Sequence, residues 1–388
     1  MSLSSLPLSY CTNVHPGRSL DEVCDGIRRY TAPTRREFGS PLAAGLWLAQ
    51  PVIRELTDAS GRLEHLRDQL ARHELACYTL NAFPYGDFHS DRVKEQVFLP
   101  DWTTSERLHY TQDCARVLAR LMPEGTEGSI STSPLGFKQV PRDDGFFDRC
   151  LVNLLVLARF LDDLHDETGR VVRLAIEPEP LSLIETTDET LSFFLELRRR
   201  AEAQGLVDSA RRHLGLCYDV CHQSVEFEDV AESIARFQSA DVRINKVHIT
   251  CAIRLVDPAN HREGREALAR YVEPRYLHQV FARTHEGGIF AAIDLTEPLA
   301  LTPPPAYRDA AEWRIHFHVP VDVESLGPLA TTREDLKRAL AAVARLEYAP
   351  HLEVETYTWD VLPGGRQPSL VDGLTRELIA TRSLLAEL

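Results

Sequence analysis

The chain has 388 residues, 44% hydrophobic and 26% charged, a balance that suits a globular protein with a large core. A formal net charge of −15 argues against a partner held mainly through phosphates, since nucleic-acid affinity is carried by Lys and Arg. No run of about 18 apolar residues and no leader-like N-terminus occurs, so a non-exported, cytoplasmic protein without a membrane segment is expected. Cys11, Cys24, Cys77, Cys114, Cys150, Cys217, Cys221 and Cys251 form no CxxC pair, and several lie inside apolar runs. They read as reduced core residues rather than a disulfide frame or a zinc ribbon.

In chain order, short β-like runs appear at "LPLSYCTNV", "AGLWLA", "LACYTLNAF", "GSISTS", "VVRLAIEP", "LGLCYDV", "INKVHITCA", "WRIHFHVPV" and "HLEVETYTW". Segments with helical periodicity separate most of them, among them "SERLHYTQDCARVLARLM", "FFDRCLVNLLVLARFLDDLHDETG", "ETLSFFLELRRRAEAQG" and "TREDLKRALAAVARLEY". Strand–helix alternation repeated about eight times predicts a parallel sheet, and at this length a single (β/α)₈ TIM barrel spanning 1–388 is favoured over an open doubly wound sheet. "YCTNVHPGRS" carries neither a GxGxxG nor a GxxxxGKS loop, which speaks against a dinucleotide fold. There are about nine runs for eight barrel positions, so residues 253–312, with their Pro-rich end, are expected to form an insertion near the seventh strand. Within it "YLHQVFART" and "GGIFAAIDL" can make a hairpin across Glu286, Gly287 and Gly288.

Several runs close on a polar residue: Glu177 after "LAI", Asp219 after "LCY", His248 after "KV", His316 and His318 in "IHFH", and Glu355 in "LEVET". In a barrel such strand ends converge on one mouth. Glu177, Asp219 and Glu355 brought together would repel one another unless protonated or neutralised by a cation, and with the imidazole of His248 they suit one divalent metal, Mn, Co, Zn, Mg or Fe. Each residue also has an ordinary explanation. Asp219 can cap a helix, Glu179 can sit in a first helical turn, Glu353 can belong to a partly buried network, and His248 can be a hydrogen-bonded core residue. Lys246, two residues before His248, can tether a carboxylate inside the barrel. In the loop after the third strand, "NAFPYGDFHSDRVKEQVFLPDW" offers Asn81, Tyr85, His89 and Lys94 as substrate donors and Trp102 as a flat wall, against the alternative of a plain surface loop. Asn13 and His15 are weaker candidates of the same kind.

The succession of Glu177, Asp219 with His222 three residues on, the strand "KVHI" and a last strand ending in Glu355 resembles the xylose isomerase-like barrel superfamily of sugar isomerases, ketose 3-epimerases and AP endonucleases. More narrowly, "LSYCTNVHPG", "YTLNAFPYGDFH", "VKEQVFLPDW", "LAIEPEP", "CYDVCHQSVEFED", "FHVPV" and "LEVETYTW" resemble, nearly end to end, the metabolite-traffic proteins encoded with the ebo cluster, specifically the E member. The superfamily resemblance implies Glu177, Asp219, His248 and Glu355 as metal ligands. It also implies proton transfer by Glu177 and Glu355 on a small polar metabolite, as in isomerases and epimerases. The alternatives are a metal-dependent hydrolase of a phosphoester-like bond and a non-catalytic metabolite carrier. His222, His316 and His318 are candidates either for a second metal, as in the AP endonuclease branch, or for hydrogen bonds supporting the first. That branch has an acid where His316 stands, and no matched His pair is evident on the early strands. A homo-oligomer or cluster-encoded protein partners are compatible with the resemblance.

Overall fold

The computed structural model describes residues 5–363 and 369–388. β1 (Leu8–Cys11), β2 (Leu42–Trp47), β3 (Leu75–Ala76), β4 (Thr79–Asn81), β5 (Gly128–Thr132), β6 (Val172–Ile176), β7 (Leu214–Asp219) and β8 (Ile244–Ile249) run parallel, with β3 and β4 sharing one position beside β2. Nearly all of their residues are buried, as expected of strands covered on both faces. Helices between them start and stop on local signals. Thr186 and Glu189 form a reciprocal capping box at the start of Thr187–Ala203, and Gly169, at φ 68°, ends Phe146–Thr168.

After β8 the chain leaves the barrel. β9 (Cys251–Val256), β10 (Val280–Arg283), β11 (Ile289–Ala292), β12 (Glu312–Val319), β13 (Ser325–Leu326) and β14 (Leu329–Thr331) form a second, antiparallel sheet in the order β11-β10-β12-β9-β14-β13. β10 and β11 are the expected hairpin. The chain then returns as β15 (His351–Val354), which pairs with β8 and with β1, and β1 pairs also with β2, closing the barrel. "WRIHFHVPV" is therefore a strand of the second sheet and not of the barrel, and the excursion runs from Cys251 to Thr331 rather than over 253–312. β12 lies inside its sheet with all eight residues buried, so it reads in sequence like a barrel strand.

The barrel interior is polar at its floor. Lys246 and Glu353 are fully buried, with Nζ 2.7 Å from Glu353 Oε1, and Asn81 Nδ2 and Ser9 Oγ donate to the same carboxylate at 2.7 and 3.2 Å. Gly45 makes the space for it, because a Cβ there would stand 1.5 Å from Glu353 Oε2. Gly45→Ala is expected to cost about 3 kcal/mol, as overpacking that displaces a buried charge. Urea unfolding of the two proteins measures this, and an unchanged midpoint would show that Glu353 has room to move.

Candidate metal centre

Glu177 follows β6, Asp219 closes β7, His248 lies in β8 and Glu355 follows β15. Pairing places Asp219 opposite His248 and His248 opposite Glu353, so these side chains are set by strand register rather than by loop conformation. One donor atom from each of Glu177, Asp219, His248 and Glu355 falls within 4.8 Å of the others. His248 Nδ1 is 2.8 Å from Glu177 Oε1, 3.0 Å from Glu355 Oε2 and 3.5 Å from Asp219 Oδ2. Its Nε2 faces Glu353 Oε1 at 3.4 Å, outside hydrogen-bond geometry. Asn13 Nδ2 donates to Glu355 Oε1 at 2.9 Å.

Asp219 divides its carboxylate between two tasks. Oδ1 accepts the His222 backbone N–H at 3.0 Å and so caps the helix Val220–Val225, whereas Oδ2 is buried without a hydrogen bond. Both explanations of this residue hold, one for each oxygen.

Burial raises the Glu177 carboxyl to about 7 despite the opposing pull of His248. It raises Glu179 well above the usual carboxylate range, with Glu177, Asp219 and Glu355 adding repulsion. On the floor, burial alone would raise Glu353, but Lys246 and His248 overcome it and hold the carboxyl at about 2.

His222, His316 and His318 meet beside this cluster, with His318 Nε2 3.3 Å from both His222 Nε2 and His316 Nε2. Their opposite nitrogens are engaged. His222 Nδ1 donates to Pro178 O at 2.8 Å and His318 Nδ1 to Glu355 O at 3.0 Å, acceptors that require the proton on Nδ1. His316 Nδ1 donates to Gln279 Oε1 at 2.7 Å, and the Gln279 amide is oriented by its own Nε2 donating to Pro180 O. The three Nε2 atoms therefore face one another with no other donor or acceptor in hydrogen-bond geometry among the described residues. Burial lowers both His316 and His318; the neighbouring imidazoles add to the effect at His316, whereas Asp219 and Glu355 oppose it at His318. Glu179 Oε2 lies 3.5 Å from His222 Nε2 and Asp219 Oδ2 3.8 Å from it. Glu179 sits in the loop after β6, not in a first helical turn. It was illegible in "EPEP" because its loop is held by the Pro178 and Pro180 carbonyls, which accept from His222 Nδ1 and Gln279 Nε2. Gln279, at the start of the insertion hairpin, has no sequence signal at all.

The loop residues are distributed differently. Asn81 and Lys94 line the cavity over the cluster, but Asn81 is spent on Glu353, Ser131 and Lys246, and Lys94 Nζ on Glu273 O, Tyr276 O and Asp294. Tyr85 stacks edge-on against Tyr110 outside that cavity, and the His89 ring donates to Asn13 O at 2.8 Å. Trp102 is buried and donates to Thr132 Oγ1, so it is no wall of the site; His15 stacks on Tyr30 away from it. All eight cysteines are buried and unpaired. Among the described residues no helix is long and apolar enough to cross a membrane.

The architecture is that of the xylose isomerase-like (β/α)₈ barrels. The chain resembles a xylose isomerase-like TIM barrel protein from Mycobacterium smegmatis, solved in complex with magnesium, at 12% identity and a TM-score of 0.51 over 98% of each chain. It resembles the IOLI protein, solved with a bound zinc atom, at 12% identity and a TM-score of 0.51 over 98% of this chain and 99% of the other. No family model and no curated protein matches the chain.

Proposed function

We propose that this chain is a divalent-metal-dependent enzyme acting on a small metabolite, with the ion held by Glu177, Asp219, His248 and Glu355. One observation carries the reading: a buried carboxylate oxygen, Asp219 Oδ2, has no hydrogen bond while two further carboxylates and an imidazole face the same point. Such a group is costly to bury unless a cation compensates it. A bound divalent ion supplies polarisation of a substrate oxygen and fixes its orientation. Glu177 and Glu355 stand on different strand ends across the cluster, where they can take and return a proton at the carbon beside that oxygen, the chemistry of isomerases and epimerases. Asn13 holds Glu355 in place. The sequence motifs further support membership of the ebo-cluster metabolite-traffic family, E member.

A second reading has its own support. Three imidazoles whose Nδ1 atoms are each engaged elsewhere present their Nε2 atoms to one another, an arrangement that a soft cation relieves. With a second ion on His222, His316 and His318, and with Glu179 and Asp219 beside it, hydrolysis of a phosphoester-like bond becomes the favoured chemistry. Elemental analysis and Zn²⁺ calorimetry test both readings. The first expects at least one equivalent per chain; absence of metal together with no thermal shift on adding Mn²⁺, Co²⁺ or Zn²⁺ rejects it. The second expects about two equivalents, falling to one in His318→Ala, and a single-site isotherm for the unmutated protein rejects it. A carrier would bind the metabolite unchanged and show no turnover.

A further inference from the structure

Resting on the metal reading above, we infer that the guest of this cavity is a compound with an oxygen-bearing head and a compact apolar body, a branched alkyl group or a single aromatic ring, rather than a polyhydroxylated sugar. The floor of the cavity is the acid and histidine cluster, but its walls are apolar. On one side Phe83 packs edge-on against Phe98, with centroids 5.5 Å apart, and Val97 and Leu277 lie against them. On the other, Tyr276 and Tyr357 meet at 4.9 Å.

The polar groups in these walls are already committed. The Tyr276 hydroxyl donates to Phe88 O at 3.2 Å, the Lys94 ammonium is neutralised by Asp294 and donates to two carbonyls, and the Asn81 amide is consumed by the floor network. Above the cluster, Asn13 Oδ1 is buried without a partner, and the Tyr357 ring, held against Tyr276 and His318, brings a hydroxyl to the cavity lining. One acceptor and one hydroxyl can serve one or two substituents beyond those that the ion engages. A sugar would bury several further hydroxyls against phenyl and alkyl groups, each losing its water without replacement. An apolar body gains from the same surface.

The test uses the full-length protein loaded with Zn²⁺, its ion content checked first, and three probes followed by calorimetry: acetohydroxamate, benzohydroxamate and xylitol. The two hydroxamates present the same pair of oxygens and differ in the apolar body. Benzohydroxamate is expected to bind at least about tenfold more tightly than acetohydroxamate, and xylitol not to compete. Leu277→Asn and Val97→Thr, on partly exposed wall positions, are each expected to shrink that ratio while leaving acetohydroxamate affinity unchanged. Equal affinities for the two hydroxamates, binding of neither by the loaded protein, or displacement of acetohydroxamate by xylitol overturns the inference. A protein that takes up no ion fails earlier, at elemental analysis, and overturns the metal reading itself.

Discussion

Lys246→Met is expected to destabilise the protein by about 3–5 kcal/mol at pH 7, the loss typical when one partner of a fully buried ion pair is removed and the other stays charged. The pair is fully buried at 2.7 Å, and Asn81 and Ser9 supply the only other donors that bond Glu353 among the described residues. The deficit should depend on pH. In the unmutated protein the Glu353 carboxyl is held at about 2, below its ordinary value of 4.5, so its contribution is present above pH 4.5 and lost as the pH falls through about 2. Without Lys246 the buried carboxyl is raised instead, and protonation in acid relieves the variant. The gap in unfolding free energy should therefore narrow between pH 7 and pH 3. A constant gap would mean that Lys246 acts through packing, and a double variant with Glu353→Gln, recovering much of the loss, would confirm that the stranded charge is the cause.

Stripping the ion with a chelator is expected to lower stability at pH 7 by about 4 kcal/mol relative to protein in an ion concentration 1,000 times the dissociation constant. The stripped form keeps Glu177, Asp219 and Glu355 crowded around one imidazole; burial would raise Glu355, but His248 overcomes it and holds that carboxyl well below its ordinary value, whereas Glu177 is raised, so Glu177→Gln should restore part of the loss. Because burial raises the Glu177 carboxyl to about 7, its penalty in the stripped form is greatest above pH 7 and fades as the pH falls from about 7 towards 4.5. Thermal melts of stripped and loaded protein across this range read the effect. Identical curves would show that no ion is bound at the cluster.

The two predictions draw on residues whose legibility in sequence differs for physical reasons. Glu177, Asp219, His248 and Glu355 stand out because a charged or titratable group closing a buried run is costly, and parallel strands bring such closures to one end. Lys246 and Glu353 were legible in the same way, by the two-residue period that turns them to the face of His248 and Glu355. His316 and His318 carry a clear two-residue spacing, yet their strand belongs to another sheet, and burial on both faces hides that difference. Glu179 and Gln279 were beyond sequence reasoning, since they reach the cluster through an irregular loop and a hairpin whose positions are fixed only by tertiary packing. Tyr85 and His89 illustrate the converse: polar residues in a long loop look available for a ligand until the hydrogen bonds and ring contacts that engage them are seen.

Lys94 joins two parts of the chain that lie far apart in sequence. Its ammonium reaches the carbonyls of Glu273 and Tyr276 and the carboxylate of Asp294, and the backbone N–H groups of Val93 and Lys94 both donate to Arg275 O. The barrel strands and the residues that follow them supply Glu177, Asp219, His248 and Glu355, whereas the excursion supplies His316, His318, Gln279 and, in Tyr276 and Leu277, part of the apolar wall, the loop after β4 supplying Phe83, Val97 and Phe98. Charge capture and dryness thus have separate structural origins. A barrel of this kind could acquire the first early and the second later, by growth of the loop after β4 and between its last two strands, and the same wall could be rebuilt for another guest without touching the acids beneath it.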